Sequence, residues 1–297
     1  MSTLIRRLTL AALLASLLVV TTGCRSTTDA APVPGTGRVI ENKGSDTLVN
    51  LALAWAERYQ DVRPDISIAV TGGGSGTGIA ALINGTVDLA GASRAIKAEE
   101  LDAAHANGID PVEFVVARDA IAVVVHPDNP IDHLTLQQVS DIYSGKFNNW
   151  QELGGEDRPI VRLSRETNSG THVYFLEAVV RLGRSDDRTL FSTDTLLLPS
   201  SEGIGAEVRQ NPNTIGYEGL GYVADYMKTI AIGLTDDGPF WQPSVETVNE
   251  GHYPIARDLY IYTAGQPTGE VKAYLDWILQ AEAQAIVLEL GFVPIQE

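Results

Sequence analysis

A glycine-rich segment between a predicted strand and a predicted helix constrains this chain more than any other feature. Residues 66–70 resemble a strand, residues 71–78 read Thr-Gly-Gly-Gly-Ser-Gly-Thr-Gly, and residues 79–83 are typical of a helix. The first backbone N–H groups of a helix have no internal partners, and the helix dipole favours negative charge there. Glycines let such a backbone come close to a ligand. The segment therefore predicts either an anion site or a loop packed tightly against a neighbour.

Three well-known glycine motifs do not fit this segment. A P-loop requires Lys after its last glycine, where this chain has Ile79. Thr77 stands where the dinucleotide-binding pattern needs its third glycine and where the hydrolase nucleophile elbow needs its second. The segment therefore carries none of these three signatures.

Two further stretches place hydroxyl residues where a helix is expected to begin. Residues 44–47 read Gly-Ser-Asp-Thr before a helical run at 48–59, and residues 165–171 read Arg-Glu-Thr-Asn-Ser-Gly-Thr before another at 172–182. One such stretch is adequately explained by helix capping, which Ser, Thr, Asp and Asn commonly perform. Three of them, one preceded by the guanidinium of Arg165, predict helix starts that converge on one oxyanion.

Composition and charge limit the kinds of partner. The chain has 297 residues, enough for two domains, and its 44% of hydrophobic residues is typical of a globular protein. The formal net charge of −17 argues against nucleic acid, which requires a basic surface. A small anion remains compatible with an acidic protein when local N–H donors surround it.

The N-terminus resembles a lipoprotein signal peptide covering residues 1–23. Arg6 and Arg7 precede an apolar stretch at 8–20 that is too short to span a bilayer comfortably. Cys24, the only cysteine, follows Gly23 as in a bacterial lipobox, and residues 24–37 are expected to form a flexible tether. We therefore expect an extracytoplasmic protein anchored to a bacterial membrane through a lipid on Cys24. The alternative is ordinary secretory cleavage beside an incidental cysteine.

The order of predicted elements favours an α/β protein with a mainly parallel sheet. Two strand-like runs at 112–117 and 120–125, broken by Arg118-Asp119, suggest a crossing between two lobes, and residues 259–262 suggest the return crossing. We expect one lobe from 38–118 plus 259–297 and a second from 119–258. The ligand would then lie in the cleft between the lobes, at the strand ends. Trp55 belongs to a set of apolar residues that recur at helical spacing, and it is expected in the core.

With these motifs laid out, residues 38–297 resemble the PstS-like phosphate-binding proteins of bacterial phosphate ABC transporters. The resemblance implies a type II periplasmic binding fold that closes around phosphate by a hinge and delivers it to permease subunits, without chemistry or a cofactor. The motifs are residues 44–48 (Gly-Ser-Asp-Thr-Leu), 72–76 (Gly-Gly-Gly-Ser-Gly), 87–94 (Val-Asp-Leu-Ala-Gly-Ala-Ser-Arg) and 164–171 (Ser-Arg-Glu-Thr-Asn-Ser-Gly-Thr), with 141–146, 149–150 and 215–217 beside them.

The resemblance also implies a set of ligand contacts. It assigns side chains and backbone N–H groups in the polar turns to phosphate: Thr47, Leu48, Ser75, Arg165, Ser169, Gly170 and Thr171. Ser45, Asp46, Ser93 and Arg94 occupy the same turns and complete the candidate site.

The chain departs from the family at the residue expected to accept the proton of phosphate. That family Asp is replaced by Arg94, which has only donors, and the acid two residues before the Ser-Gly-Thr trio is replaced by Thr167. Asp46 is the nearest candidate for the missing acceptor, although it could simply cap a helix. Arg94 could equally pair with Glu41 or Asp88 and never touch the ligand.

Other functions remain open at this stage. The chain could bind another tetrahedral oxyanion, such as sulfate or molybdate, or act as an envelope sensor or adhesin. It could also hydrolyse phosphate esters if Ser169 and His172 formed a nucleophile and base, although a capping serine beside a surface histidine explains the pair better. The five histidines have no metal-binding spacing. We therefore expect a monomeric binding protein with no catalytic residue, metal or cofactor.

Overall fold

The structure, a computed structural model, describes residues 38–295 and contains the expected alternation of strands and helices. The predicted signal peptide, the tether and Cys24 lie outside the described residues. The strands are β1 (Val39–Gly44), β2 (Ser67–Thr71), β3 (Leu89–Ala92), β4 (Val112–Val125), β5 (His133–Thr135), β6 (Val161–Arg165), β7 (Leu196–Leu198), β8 (Thr214–Gly219), β9 (Lys228–Thr229), β10 (Ala231–Gly233), β11 (Phe240–Trp241) and β12 (Ala256–Thr263).

The helices begin close to the positions that the polar turns predict. They are α1 (Asp46–Val62), α2 (Ser75–Ile83), α3 (Ala98–Ala106), α4 (Leu136–Tyr143), α5 (Gly170–Phe175), α6 (Ser201–Gln210), α7 (Val245–Asn249), α8 (Gly269–Ile278) and α9 (Ala281–Glu289). The predicted helix at 172–182 begins two residues earlier, and a π-helix at Leu176–Val180 continues it. Within residues 38–295, no helix combines the length and apolar character needed to cross a membrane.

The main sheet is mixed rather than mainly parallel. Its strand order is β2-β1-β3-β12-β4-β8-β6-β7, with β9 paired to β4, and a smaller sheet has the order β11-β10-β5. β1 runs parallel to both β2 and β3, and β6 runs parallel to β7 and β8. The antiparallel strands β12 and β4 join these two parallel groups. The α/β class is as predicted. The prediction of a parallel sheet holds only for the two outer groups of strands, β1 to β3 and β6 to β8.

The expected break in the strand at Arg118-Asp119 is wrong, because β4 is continuous through both residues. Each of them lies opposite a residue of opposite charge in β12, Arg118 across from Asp258 and Asp119 across from Arg257. Cross-strand charge pairs stabilise polar residues inside a ladder. One predicted lobe boundary lies between residues 118 and 119 and the other between 258 and 259. The two boundaries therefore lie within one residue of each other across this pair of strands.

Two apolar cores lie on the two parallel groups of strands. The first is built around Trp55, which is 1% exposed as predicted, together with Tyr59, Tyr274 and Trp277. The second contains stacked aromatic rings, with the centroids of Phe175 and Tyr217 3.6 Å apart. Large buried aromatic side chains of this kind contribute much of the free energy of folding. Both cores therefore hold the strand ends, which carry the polar turns, in fixed positions.

Candidate functional site

Parallel pairing brings three of the polar turns to one edge of the sheet. β1, β2 and β3 run side by side, so the residues that follow them meet at their carboxyl ends. Ser45 Oγ donates to Ser93 Oγ at 2.9 Å, and Ser75 Oγ lies 3.3 Å from Ser93 Oγ. The backbone N–H of Ser93 also donates to Ser75 Oγ at 3.0 Å.

The start of α5 completes this group from the other half of the sheet. Thr47 Oγ1 and Thr171 Oγ1 are 2.9 Å apart and share one hydrogen bond. Gly170 lies so close to the serines that a Cβ added to it would be 2.3 Å from Ser75 Oγ. The five hydroxyl groups together are called the hydroxyl cluster, and each of its residues is at most 4% exposed: Ser45, Thr47, Ser75, Ser93 and Thr171.

The glycine-rich segment packs tightly against a neighbour, which was one of its two predicted interpretations, and its role as an anion site stays a prediction. Ser75 within it is the first residue of α2, and so the segment places a helix start at the hydroxyl cluster. It also packs against Asn168, because Gly76 N–H donates to the Asn168 carbonyl and Asn168 Nδ2 donates to the Gly73 carbonyl, at 3.1 and 2.9 Å. Gly74 has a φ of 94° in this contact, a conformation that glycine adopts without strain.

Two of the predicted contacts instead serve the helix starts themselves. Ser169 is the N-cap of α5, and its side chain accepts a hydrogen bond from Thr171 N–H at 3.2 Å. The Leu48 N–H, predicted to face the ligand, donates to the Ser45 carbonyl at 3.0 Å. Both residues therefore hold the cluster in shape in this structure.

Arg165 makes its hydrogen bonds at the start of α6, and none of those in the described residues joins it to the hydroxyl cluster. Its guanidinium donates to Ser201 Oγ at 2.9 Å and to the Pro199 carbonyl at 2.8 Å, with a longer contact to the Leu198 carbonyl. It also forms an ion pair with Asp46 at 3.1 Å. The Asp46 carboxylate in turn accepts from Ser201 N–H, so its hydrogen bonds serve the start of α6 and not its own helix.

Arg94 pairs with Glu100, and not with Glu41 or Asp88 as considered from the sequence. Its two terminal nitrogens lie 2.8 and 2.6 Å from the two carboxylate oxygens of Glu100. One of them also donates to the Ala95 carbonyl. This paired geometry is the strongest that Arg makes with a carboxylate, and it turns the guanidinium toward α3.

His172 is buried, which corrects the expectation of a surface histidine. Only 8% of it is exposed, and its Nδ1 lies 3.0 Å from Ser164 Oγ rather than near Ser169. Burial lowers the pKa of this imidazole below its usual value. The Ser169–His172 pair of the hydrolase alternative is therefore not formed.

Arg257, an arginine that sequence reasoning missed, reaches the hydroxyl cluster from β12. The Nη2 atom of Arg257 donates to Thr171 Oγ1 at 2.9 Å and lies 3.4 Å from Thr47 Oγ1, while Nη1 donates to the Ser93 carbonyl at 2.8 Å. Nη2 also pairs with Asp119 at 2.9 Å. The signal in the sequence was its partner Asp119, which with Arg118 forms a charged pair inside an apolar run. The sequence analysis interpreted that pair as a break in the strand.

Two buried acids lie near the site. Asp119 is 0% exposed, and burial raises the pKa of its carboxyl while the neighbouring Arg257 opposes that rise. Glu218 on β8 is 1% exposed, and neither of its carboxyl oxygens has a hydrogen-bond partner among the described residues. Burial, and then the charge of Glu202, raise the pKa of Glu218 to about 9. The Glu218 carboxyl is therefore neutral at pH 7.

The mixed α/β sheet, with a buried polar site at its strand ends, is that of the type II periplasmic binding proteins. The sequence model of the PBP superfamily domain matches residues 27–282. The chain belongs to this superfamily and, within it, to the PstS-like family.

Individual relatives cover most of the chain. The phosphate-binding protein PstS of Pseudomonas aeruginosa is 33% identical over 273 residues, covering 86% of this chain and 83% of that protein. PstS of Bacillus subtilis is 31% identical, covering 86% and 80%. A Clostridium perfringens crystal structure with bound phosphate superposes with a TM-score of 0.78 at 32% identity, covering 87% of this chain and all of that one.

Proposed function

We propose that this chain binds inorganic phosphate at the hydroxyl cluster and delivers it to the permease of an ABC transporter. The observation that carries the proposal is the convergence of five buried hydroxyl groups, four at the starts of α1, α2 and α5 and the fifth, that of Ser93, directly after β3. Backbone N–H groups at helix starts and hydroxyl groups suit an anion whose protonation varies, because hydroxyls can donate or accept. Relatives named for phosphate binding support the choice of ligand.

The proposed contacts are those in the polar turns, with roles adjusted to the geometry. Ser45, Thr47, Ser75, Ser93 and Thr171 offer hydroxyl groups, and Gly170 lets the start of α5 approach them. The remaining proposed residues shape or flank the site: Asp46, Leu48, Arg94, Arg165 and Ser169.

Binding in this site would exchange weak contacts for stronger ones. The cluster hydroxyls bond to one another, and an oxyanion would replace these with charge-assisted hydrogen bonds. The Thr47–Thr171 contact joins the two proposed lobes, 38–118 plus 259–297 and 119–258. We propose that these lobes separate to admit phosphate and close again around it, as hinged binding proteins do.

Titration calorimetry tests the ligand and the cluster together. We expect saturable binding of phosphate that is tighter than that of sulfate, arsenate or molybdate. Ser75→Ala and Thr47→Ala should each weaken phosphate binding by about 1–3 kcal/mol, since each loses a hydrogen bond to a charged group. Ser140→Ala, which removes an equally buried hydroxyl that donates to the Val180 carbonyl, is the matched control and should bind like the parent. Absence of phosphate binding by the parent would contradict the proposal.

We also propose that the protein is extracytoplasmic and monomeric, with a lipid anchor on Cys24 and a tether from 24 to 37. The support is the order of positive, apolar and small residues before the single cysteine. Mass spectrometry of protein isolated from membranes should show a diacyl or triacyl mass at an N-terminal Cys24. Cys24→Ser should release the protein from the membrane, and an unmodified N-terminus elsewhere would contradict the anchor. Sedimentation of that soluble variant should give the mass of one chain.

A further inference from the structure

Arg257 brings a fixed positive charge to the hydroxyl cluster from a strand outside the polar turns. Its guanidinium touches three of the turns at once, through Thr47, Thr171 and the Ser93 carbonyl. The side chain is 3% exposed, and its Nε, like that of Arg94, has no hydrogen-bond partner among residues 38–295. A buried, unpaired N–H on an arginine is costly, and so it indicates a group that accepts from it.

The other two candidate arginines are engaged elsewhere. Arg165 holds Asp46 and the start of α6, and Arg94 holds Glu100. No hydrogen bond within the described residues joins either guanidinium to a hydroxyl of the cluster. Arg257 is thus the guanidinium with direct contacts to the cluster.

Asp119 is a buried acceptor paired with Arg257. One of its oxygens accepts from Arg257 Nη2 at 2.9 Å and the other from Leu220 N–H at 3.1 Å. Each carboxylate oxygen can accept a second hydrogen bond. Arg257 Nη2 donates to both Asp119 and Thr171, so a single guanidinium nitrogen joins the carboxylate to the cluster. Asp46 has no such position, because its carboxylate pairs with Arg165 and Ser201 N–H.

A cleft that is open to solvent borders Arg257. It has a volume of about 660 Å³, and its walls include Arg257, Arg94, Lys97 and Tyr174. Glu99, Glu177 and Asp258 line the cleft as well, so it gives an anion a route to Arg257 and no net electrostatic attraction.

We propose that Arg257 is a direct ligand of the oxyanion and that Asp119 accepts the proton of a protonated oxyanion, so that the pair selects phosphate over sulfate. The inference rests on the proposed function, to which it adds two charged residues of the binding site. Phosphate near neutral pH carries at least one proton and can donate to Asp119, whereas sulfate has none and would face an unpaired acceptor. The guanidinium offers the planar fork that two oxyanion oxygens match.

The first experiment tests Arg257 by calorimetric titration with inorganic phosphate. Arg257→Gln should weaken binding by about 100-fold or more, since it removes one partner of a buried charge pair. The matched control is Arg118→Gln, which changes the neighbouring cross-strand pair of Arg118 and Asp258. It should bind phosphate within about twofold of the parent. Arg257→Lys keeps the charge and loses the fork, so a folded Lys variant should still bind at least about tenfold more weakly.

The outcomes separate the inference from the proposed function. A folded Arg257→Gln or Arg257→Lys variant that binds phosphate like the parent overturns the role of Arg257 and leaves phosphate binding intact. A parent that binds no phosphate overturns both proposals. Circular dichroism and thermal unfolding establish which variants are folded, and if Arg257→Gln unfolds, the Lys variant decides.

The second experiment tests Asp119 through a ratio that a structural role alone would not change. Asp119→Asn should reduce the ratio of phosphate to sulfate affinity by about tenfold or more, because the amide can donate to sulfate. Asp46→Asn is the comparison and should leave this ratio unchanged. A ratio unchanged in Asp119→Asn, or changed instead in Asp46→Asn, would remove Asp119 as the selective acceptor.

Discussion

Gly170→Ala should abolish phosphate binding while the chain still folds. The new Cβ would lie 2.3 Å from Ser75 Oγ and 2.5 Å from Ser93 Oγ, both in the hydroxyl cluster. The start of α5 would have to move away from the serines, which would separate the groups proposed to surround the anion. We expect a loss of about 3 kcal/mol or more in binding free energy, which exceeds a 100-fold rise in Kd. Calorimetric titration with phosphate measures it.

Gly203→Ala is the matched control for this substitution. Gly203 is also in the first turn of a helix, α6, but a Cβ there would make only ordinary contacts at 3.6 and 3.7 Å. It should bind phosphate like the parent. Normal binding by Gly170→Ala would show that α5 does not need its close approach to the serines, and would place the anion elsewhere.

Glu218→Gln should remove a large part of the dependence of stability on pH. The Glu218 carboxyl has its pKa raised to about 9 in the folded protein, against 4.5 for an ordinary glutamic acid. The folded state therefore holds this proton over a range in which the unfolded chain has lost it. The contribution of the group is full below pH 4.5 and declines as pH rises toward 9, so unfolding free energy falls with rising pH. At pH 7 the loss amounts to roughly 2–4 kcal/mol.

The amide of Gln cannot ionise, so the variant should not show this decline. Urea unfolding at pH 5, 6, 7 and 8 should give a difference between variant and parent that shifts steadily in favour of the variant. Glu207→Gln, which changes an exposed acid on α6, should follow the parent at every pH. A constant difference between Glu218→Gln and the parent would mean that Glu218 is ionised in the folded state throughout this range.

The sequence predicts the local features of this fold well, because they depend on neighbouring residues. The helical run predicted at 48–59 lies inside α1, Trp55 is in the core, and hydroxyl residues mark the starts of α1, α2 and α5. Capping residues and apolar periodicity are local signals, which explains this agreement.

The charged part of the site depends on contacts between distant residues, which local patterns do not reveal. Asp119 and Arg257 are 138 positions apart and meet only because β4 and β12 pair. Arg165 precedes a polar turn, yet successive residues of a strand face opposite sides of the sheet. Ser164 therefore faces Tyr217 on one side, while Arg165 faces α6 on the other.

The continuous pairing of β4 and β12 determines how the proposed lobes can move. These strands are held by hydrogen bonds along the whole segment between the lobes, with one register shift between Leu259 and Tyr260. A rotation of one lobe against the other must then twist a two-stranded ribbon, which resists displacement as a torsion spring does. Asp119 and Arg257 lie opposite each other inside that ribbon. A rotation that closes the lobes would therefore act directly on the two residues proposed to hold the anion, with no other residues between the moving strands and the site.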